Sequence, residues 1–340
     1  MQDLRVNRNR LGWVAVWLLW LAMAVNAEAK LVVVASIKPI HALVAGVMQG
    51  VGEPLLLIPG GASPHDYNLK PSDTRTLAEA QVVFWIGPEL ERFLVKPLHN
   101  ATGKAQSVAL LDTPGLMLLP LREGGAWEPH QHRPNEPHAQ NQDQDADHDT
   151  TEQHGADAHQ HEHAADQDLH IWLDPVYAVA LTKRIVTVLG EADPQHRSDY
   201  ERNGAALVAR LERLHQKLTT ELAPVREPPY IVFHDAYQYF EKRYGLNAVG
   251  SVVLDPAQRP GARRVTEIRA RIQEQGARCV FSEPQFQPAL VETVIADSKA
   301  RRGVLDPLGA ALPAGPNLYF ELLQGLADGL RACLIPAGRP

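Results

Sequence analysis

Short apolar runs rich in β-branched residues alternate with helical stripes along this chain, and that alternation most narrows its fold. Residues 31–35, 55–58 and 82–86 read as strands. Between them, Pro39 starts a helix that carries Leu43, Val44 and Val47, and Ser72 caps another running to about Ala80. A second series follows later, with strands expected at 230–233, 249–254, 279–282 and 303–305. Its helices are one through Tyr239 closed by Gly245, one closed by Gly276, and a last one over about 319–334. Strands that alternate with helices imply a mostly parallel sheet covered by helices. Two such series give an α/β fold with two lobes.

Two helical segments lie between the series. Asp174-Pro175 opens one that runs to about Leu189, and Asp193-Pro194 opens a longer one. Leu207, Leu211, Leu214, Leu218 and Leu222 keep a helical stripe along the latter until Pro224. One long helix between two α/β lobes makes a stiff connection. The expected division is therefore an N-terminal lobe over 30–192, a linking helix over 193–227 and a C-terminal lobe over 228–340. A chain of 340 residues is long enough for two cores of this kind.

Within the first lobe the composition changes abruptly. Residues 125–168 are almost entirely His, Asp, Glu, Gln, Asn and Ala. Such a stretch buries too little apolar surface to offset its ordering entropy, so it reads as a disordered insertion.

Residues 1–29 read as an export signal. Arg5, Arg8 and Arg10 precede an apolar run over 11–25, and Ala27 and Ala29 follow at positions suited to cleavage. The run is short for a membrane anchor, and no cysteine follows it to carry a lipid. The mature chain is expected to be soluble and outside the cytoplasm. There, Cys279 and Cys333, the only cysteines, are expected to bond; two free buried thiols are the other reading. They are far apart and form no CxxC, so they make a poor zinc-ligand set. The formal charge of −7 gives no reason to expect nucleic acid as a partner.

Fifteen histidines are the unusual feature of the composition. His65 lies in a loop after an expected strand, and His170 lies where apolar sequence resumes after the insertion. His234 directly follows a strand, as do Glu283 and Asp306. Ligands of parallel sheets bind beyond the carboxyl ends of the strands, so these side chains have a route to one crevice. Three imidazoles with a carboxylate or a water make a tetrahedral zinc set. His41, His99, His196 and His215 fall in helical or surface contexts and are read as structural or solvated. Inside the insertion, His130, His132, His138, His148, His154, His159, His161 and His163 read as a low-affinity metal collector, or as incidental members of a tolerated polar loop.

At these residues the chain resembles a known family. The segments Ala62-Ser63-Pro64-His65-Asp66-Tyr67, His170-Ile171-Trp172-Leu173-Asp174-Pro175 and Phe233-His234-Asp235-Ala236-Tyr237 look like its metal-ligand segments. Ser282-Glu283-Pro284-Gln285-Phe286 and Leu305-Asp306-Pro307-Leu308-Gly309 match further. The family is that of the periplasmic zinc-binding subunits of high-affinity ABC importers (ZnuA-type, cluster A-I). The resemblance covers nearly the whole mature chain, including the acidic His-rich insertion and the cysteine pair. It implies two lobes joined by a rigid helix, with transported zinc held between them by His65, His170 and His234. It also implies delivery of that zinc to a membrane permease and its ATPase, by a monomer. An imidazole at His234, where manganese and iron relatives show a carboxylate, favours zinc. Asp306 matches an aspartate that closes the site in several relatives, with water as the alternative fourth ligand. Pro64 stands where some members carry Glu, so that contact is not available here. Glu283 is expected to hold structure or to support a ligand from behind.

Two rival functions remain at this point. A periplasmic zinc buffer or donor would use the same fold. A zinc hydrolase would use the same ligands, but the sequence has neither an HExxH helix nor a GxSxG elbow.

Overall fold

A computed structural model describes residues 30–100, 105–122, 127, 167–253, 261–286 and 289–336. The export signal and all eight histidines of the polar insertion lie outside these residues.

Two four-stranded sheets form the frame. The first contains β1 (Val33–Ala35), β2 (Leu55–Leu56), β3 (Val82–Trp85) and β4 (Gln106–Ala109), in the order β2-β1-β3-β4. The second contains β5 (Tyr230–His234), β6 (Ala248–Val253), β7 (Cys279–Ser282) and β8 (Arg301–Val304), in the order β6-β5-β7-β8. Every pairing is parallel. The central strands are buried along their whole length, as strands with helices on both faces must be.

Helices α1 (Lys38–Val47), α2 (Pro71–Glu79) and α3 (Arg92–Asn100) accompany the first sheet. Helix α4 (Pro175–Ala192) is N-capped by the Asp174 carboxylate, which accepts the Val176 N–H at 2.9 Å. Helix α5 (Arg197–Leu222) is the long one, about 39 Å at 1.5 Å per residue. Helices α6 (Gln238–Tyr244), α7 (Ala262–Glu274), α8 (Ala289–Ile295) and α9 (Leu318–Leu334) belong to the second half. Gly245, at φ 66°, takes the left-handed conformation that closes α6, as its position predicts.

Helix α5 ties the halves together. Tyr200, Gly204, Leu207, Leu211, Leu214, Leu218 and Leu222 form its buried stripe. Near its start, Asn203 Nδ2 donates to the carbonyls of Val47 and Gln49 at 2.9 and 2.8 Å. Near its end, Lys217 Nζ donates to Gln324 Oε1 of α9 at 2.8 Å. Cys279 of β7 and Cys333 of α9 are bonded, with their Cα atoms 6.2 Å apart.

Several boundaries differ from the sequence expectation. Helix α2 starts at Pro71, so Ser72 lies in its first turn; the carboxylate of Asp73 takes the Lys70 N–H instead, at 2.8 Å. Residues 194–196 form a 3-10 turn, and α5 starts only at Arg197. Strand β8 starts two residues earlier than expected and ends one earlier, because pairing with β7 begins at Arg301 opposite Cys279. Strand β4 and helices α3 and α8 were not anticipated. The polar insertion ends earlier than 168. Gln167 pairs with Pro120 as an isolated antiparallel bridge, and Asp168 is only 1% exposed.

Candidate metal centre

Each of the three histidines is brought in by a different element. His65 follows β2 on a loop that turns at Gly60-Gly61, where Gly61 has φ 89°. His170 immediately precedes a 3-10 turn over Ile171–Leu173, itself buried, that leads to α4. His234 is the last residue of β5. His170 and His234 are buried and His65 is exposed.

Their rings converge. His65 Nε2 lies 3.3 Å from His170 Nε2, and His234 Nε2 lies 3.4 Å from the same atom. The three ligand atoms all fall within 4.8 Å of one another. A metal bonded to two imidazole nitrogens at ~2.0–2.1 Å, with a tetrahedral angle between them, holds those nitrogens ~3.3 Å apart. The two short edges of this cluster have that length. Among the described residues, these three form the group of His, Cys, Asp or Glu side chains that could hold a metal ion.

Carboxylates orient the two buried rings. Asp168 Oδ1 accepts the backbone N–H of His170 at 3.0 Å and lies 2.7 Å from its Nδ1. An oxygen already accepting a backbone N–H acts as acceptor again, so Nδ1 is the donor and Nε2 points inward without a proton. Glu283 Oε1 stands in the same relation to His234 Nδ1, at 2.6 Å. Burial, then the nearby His234, push the His170 imidazolium down to about 3. Burial lifts the Asp168 carboxyl to about 7. For His234, burial works against the imidazolium, but the Glu283 carboxylate outweighs it and the net direction is up. Neutral rings held in this way would face bare Nε2 lone pairs toward each other across 3.4 Å. Positive charge belongs between them, supplied by a proton on His234 or by a metal ion.

The surrounding recess has a volume of about 280 Å³, including its open mouth. Besides the histidines, Trp172, Glu283, Gln285, Phe286 and Pro307 contribute to its lining. Trp172 packs on His170 with ring centroids 5.1 Å apart, and its Nε1 donates to the Pro307 carbonyl at 2.8 Å. Behind His234, Arg122 forms ion pairs with Asp235 and Glu241.

Asp306 is not brought into the histidine group. Its Oδ1 accepts Gln285 Nε2 at 3.0 Å and the Leu308 N–H at 3.2 Å, which makes it a turn residue ahead of Pro307. His41 Nε2 is 3.0 Å from the Pro54 carbonyl, His196 Nδ1 is 2.7 Å from Asp193, and His215 Nδ1 is 3.3 Å from the Tyr244 hydroxyl. His99 is exposed on α3. Asp168 is the site residue that the sequence reading missed. Its signal was an acid two positions before a candidate ligand, hidden at the end of an acidic stretch.

Known proteins resemble this chain in sequence and fold. The sequence profile of the zinc-uptake complex component A, periplasmic (ZnuA) covers residues 33–333. The high-affinity zinc uptake system protein ZnuA of Brucella abortus (strain 2308) is 49% identical over 304 residues, which span 89% of this chain and 91% of that protein. Its namesake from Yersinia pestis is 35% identical over 333 residues, spanning 93% and 98%. A crystal structure of ZnuA superposes with a TM-score of 0.70 at 25% identity, covering 90% of this chain and all of the other. A zinc-bound ZnuA lacking its residues 138–173 superposes with a TM-score of 0.69, also at 25% identity, covering 92% and 100%.

Proposed function

The chain belongs to the family of periplasmic zinc-uptake complex component A, and on that premise we propose that it captures zinc at His65, His170 and His234 for import. The observation that carries the reading is the pair of buried imidazoles. Each is held by a carboxylate with its Nε2 turned to a common point, 3.4 Å apart. Neutral imidazole suits zinc, and three such ligands leave one tetrahedral position open. The engagement of Asp306 with Gln285 and Leu308 favours water in that position.

The remaining steps follow the relatives, which are named for high-affinity zinc uptake. Residues 1–29 direct export to the periplasm and are removed. The loaded protein, as a monomer of two lobes joined by the segment 193–227, delivers zinc to an ABC permease driven by its ATPase. Three histidines with an open position also describe a catalytic zinc. The uptake names of the relatives favour a carrier with no catalytic role. The eight histidines between 130 and 163 act as a weak collector that raises the local zinc concentration.

Calorimetric zinc titration of the chain without residues 1–29 tests the reading. One tight site is expected, lost when His65, His170 and His234 are all replaced by Ala. A tight site that survives the triple replacement, or none in the unaltered protein, overturns it.

A further inference from the structure

Lys38 is a buried cation with no part in the zinc ligand set. It lies at the start of α1, directly beyond β1, and is 8% exposed. Its Nζ donates to three backbone carbonyls: Gly309 at 3.1 Å, Ala310 at 2.8 Å and Leu312 at 2.7 Å. An ammonium has three donors, so this one turn of the second half saturates it. The same turn continues from Pro307 and Leu308, which wall the metal recess, and Pro307 also accepts the Trp172 indole that packs on His170.

The loop carrying His65 meets the junction at Gly60. A Cβ on Gly60 would stand 2.4 Å from the Ala310 carbonyl oxygen and 2.5 Å from Lys38 Nζ. No side chain fits there, because one obstacle is backbone and the other is an ammonium already fixed by three acceptors. Gly60 does not have positive φ, so the requirement is one of space alone. Two walls of the recess, the His65 loop and the turn at 307–312, therefore press on the same lysine from opposite halves of the molecule.

We propose that Lys38 and Gly60 form a junction that holds the His65 loop against the 307–312 turn and thereby sets how fast the captured metal leaves. The inference rests on the zinc-capture reading above. Lys38 touches no ligand; it is a positioning residue. When it is removed, three carbonyls, the Gly309 one buried and the other two partly so, lose their donor, the turn loosens, and His65, the exposed ligand, loses the surface its loop leans on.

The test uses Lys38→Met, which keeps an unbranched side chain one atom shorter and removes the charge, and Gly60→Ala, which keeps the ammonium and forces the walls apart. Each is loaded with zinc, and release is followed by stopped-flow transfer to an excess of chelator. Release is expected to speed up by about fivefold or more in each variant, the size of an ordinary coupling between sites. The association rate and the visible absorption bands of the cobalt-substituted protein should not change, because the ligands are the same. A lower melting temperature with unaltered release would show a merely structural lysine and overturn the proposal, and Gly60→Ala decides the matter should Lys38→Met fail to fold. Unaltered protein that binds no zinc overturns the capture reading and this inference with it; zinc bound tightly but released at the same rate by the variants overturns this inference alone.

Discussion

What makes three histidines a site is the fixing of two of them. An imidazole free to rotate offers either nitrogen, and the choice costs rotamer freedom when a metal arrives. Asp168 and Glu283 make that choice beforehand by accepting the Nδ1–H of His170 and His234 at 2.7 and 2.6 Å. Both carboxylates are buried, at 1% and 2% exposure, so water does not compete for these bonds. They also place negative charge behind neutral ligands, which strengthens the imidazoles as donors to a dication. Asp235, next in the chain to His234, adds to that charge, offset in part by Arg122, which it shares with Glu241. Asp168→Ala and Glu283→Gln should each weaken zinc binding by about 10–100-fold, the usual cost of losing such a partner. Competition against a chelator of known affinity measures this. Wild-type affinity in both variants would mean that the rings are oriented by packing alone.

At the scale of elements, the disulfide between β7 and α9 is the covalent tie on the second sheet. Strand β7 ends at Ser282, directly ahead of Glu283, so the bond anchors the strand that delivers the partner of His234. Closing a loop with a sequence separation of 54 limits the unfolded chain, and the chain-entropy model values this at about 4 kcal/mol. Replacing both cysteines with Ala should lower unfolding stability by a comparable amount, read from denaturant midpoints in the absence of metal. A change under about 1 kcal/mol would show that the reduced chain already holds the α9–β7 contact. The cysteine pair, α5 and the central strands were all legible in the sequence, because apolar period and composition mark them without help from tertiary contacts. Strand β4 was not, since its Gln106 and Ser107 are exposed and only Val108 is buried. Helix α3 carries Pro97 within it, and α8 spans seven residues, too few for a periodic stripe to stand out. Among the site residues, the histidines showed through their placement relative to strands. Asp168 did not, because its burial comes from contacts distant in sequence: its N–H donates to the Leu119 carbonyl at 2.8 Å, and its carbonyl accepts the Tyr239 hydroxyl at 2.7 Å.

Across the whole molecule, those same contacts fix Gln167 and Asp168 beside the candidate metal centre. Pro120 pairs with Gln167, the Leu119 N–H donates to the Tyr239 hydroxyl at 3.0 Å, and Asp168 follows at once on His170's ring. One residue past that bridge lies a carboxylate of the site, so the position of a deletion matters more than its length. Removing residues 128–165 leaves the Pro120–Gln167 bridge, Asp168 and the connection over 121–127. Zinc titration of that variant should show the tight site at unaltered affinity, with the weaker uptake of additional ions lost. A deletion of 125–168 removes nearly the same histidine-rich sequence and also takes Asp168, and its tight site should weaken by about 10–100-fold. The contrast separates two contributions that a single deletion would merge. If both variants lost the tight site equally, the segment itself would be supplying ligands to it. If both kept it equally, Asp168 would have no hold on His170 that the fold does not already provide.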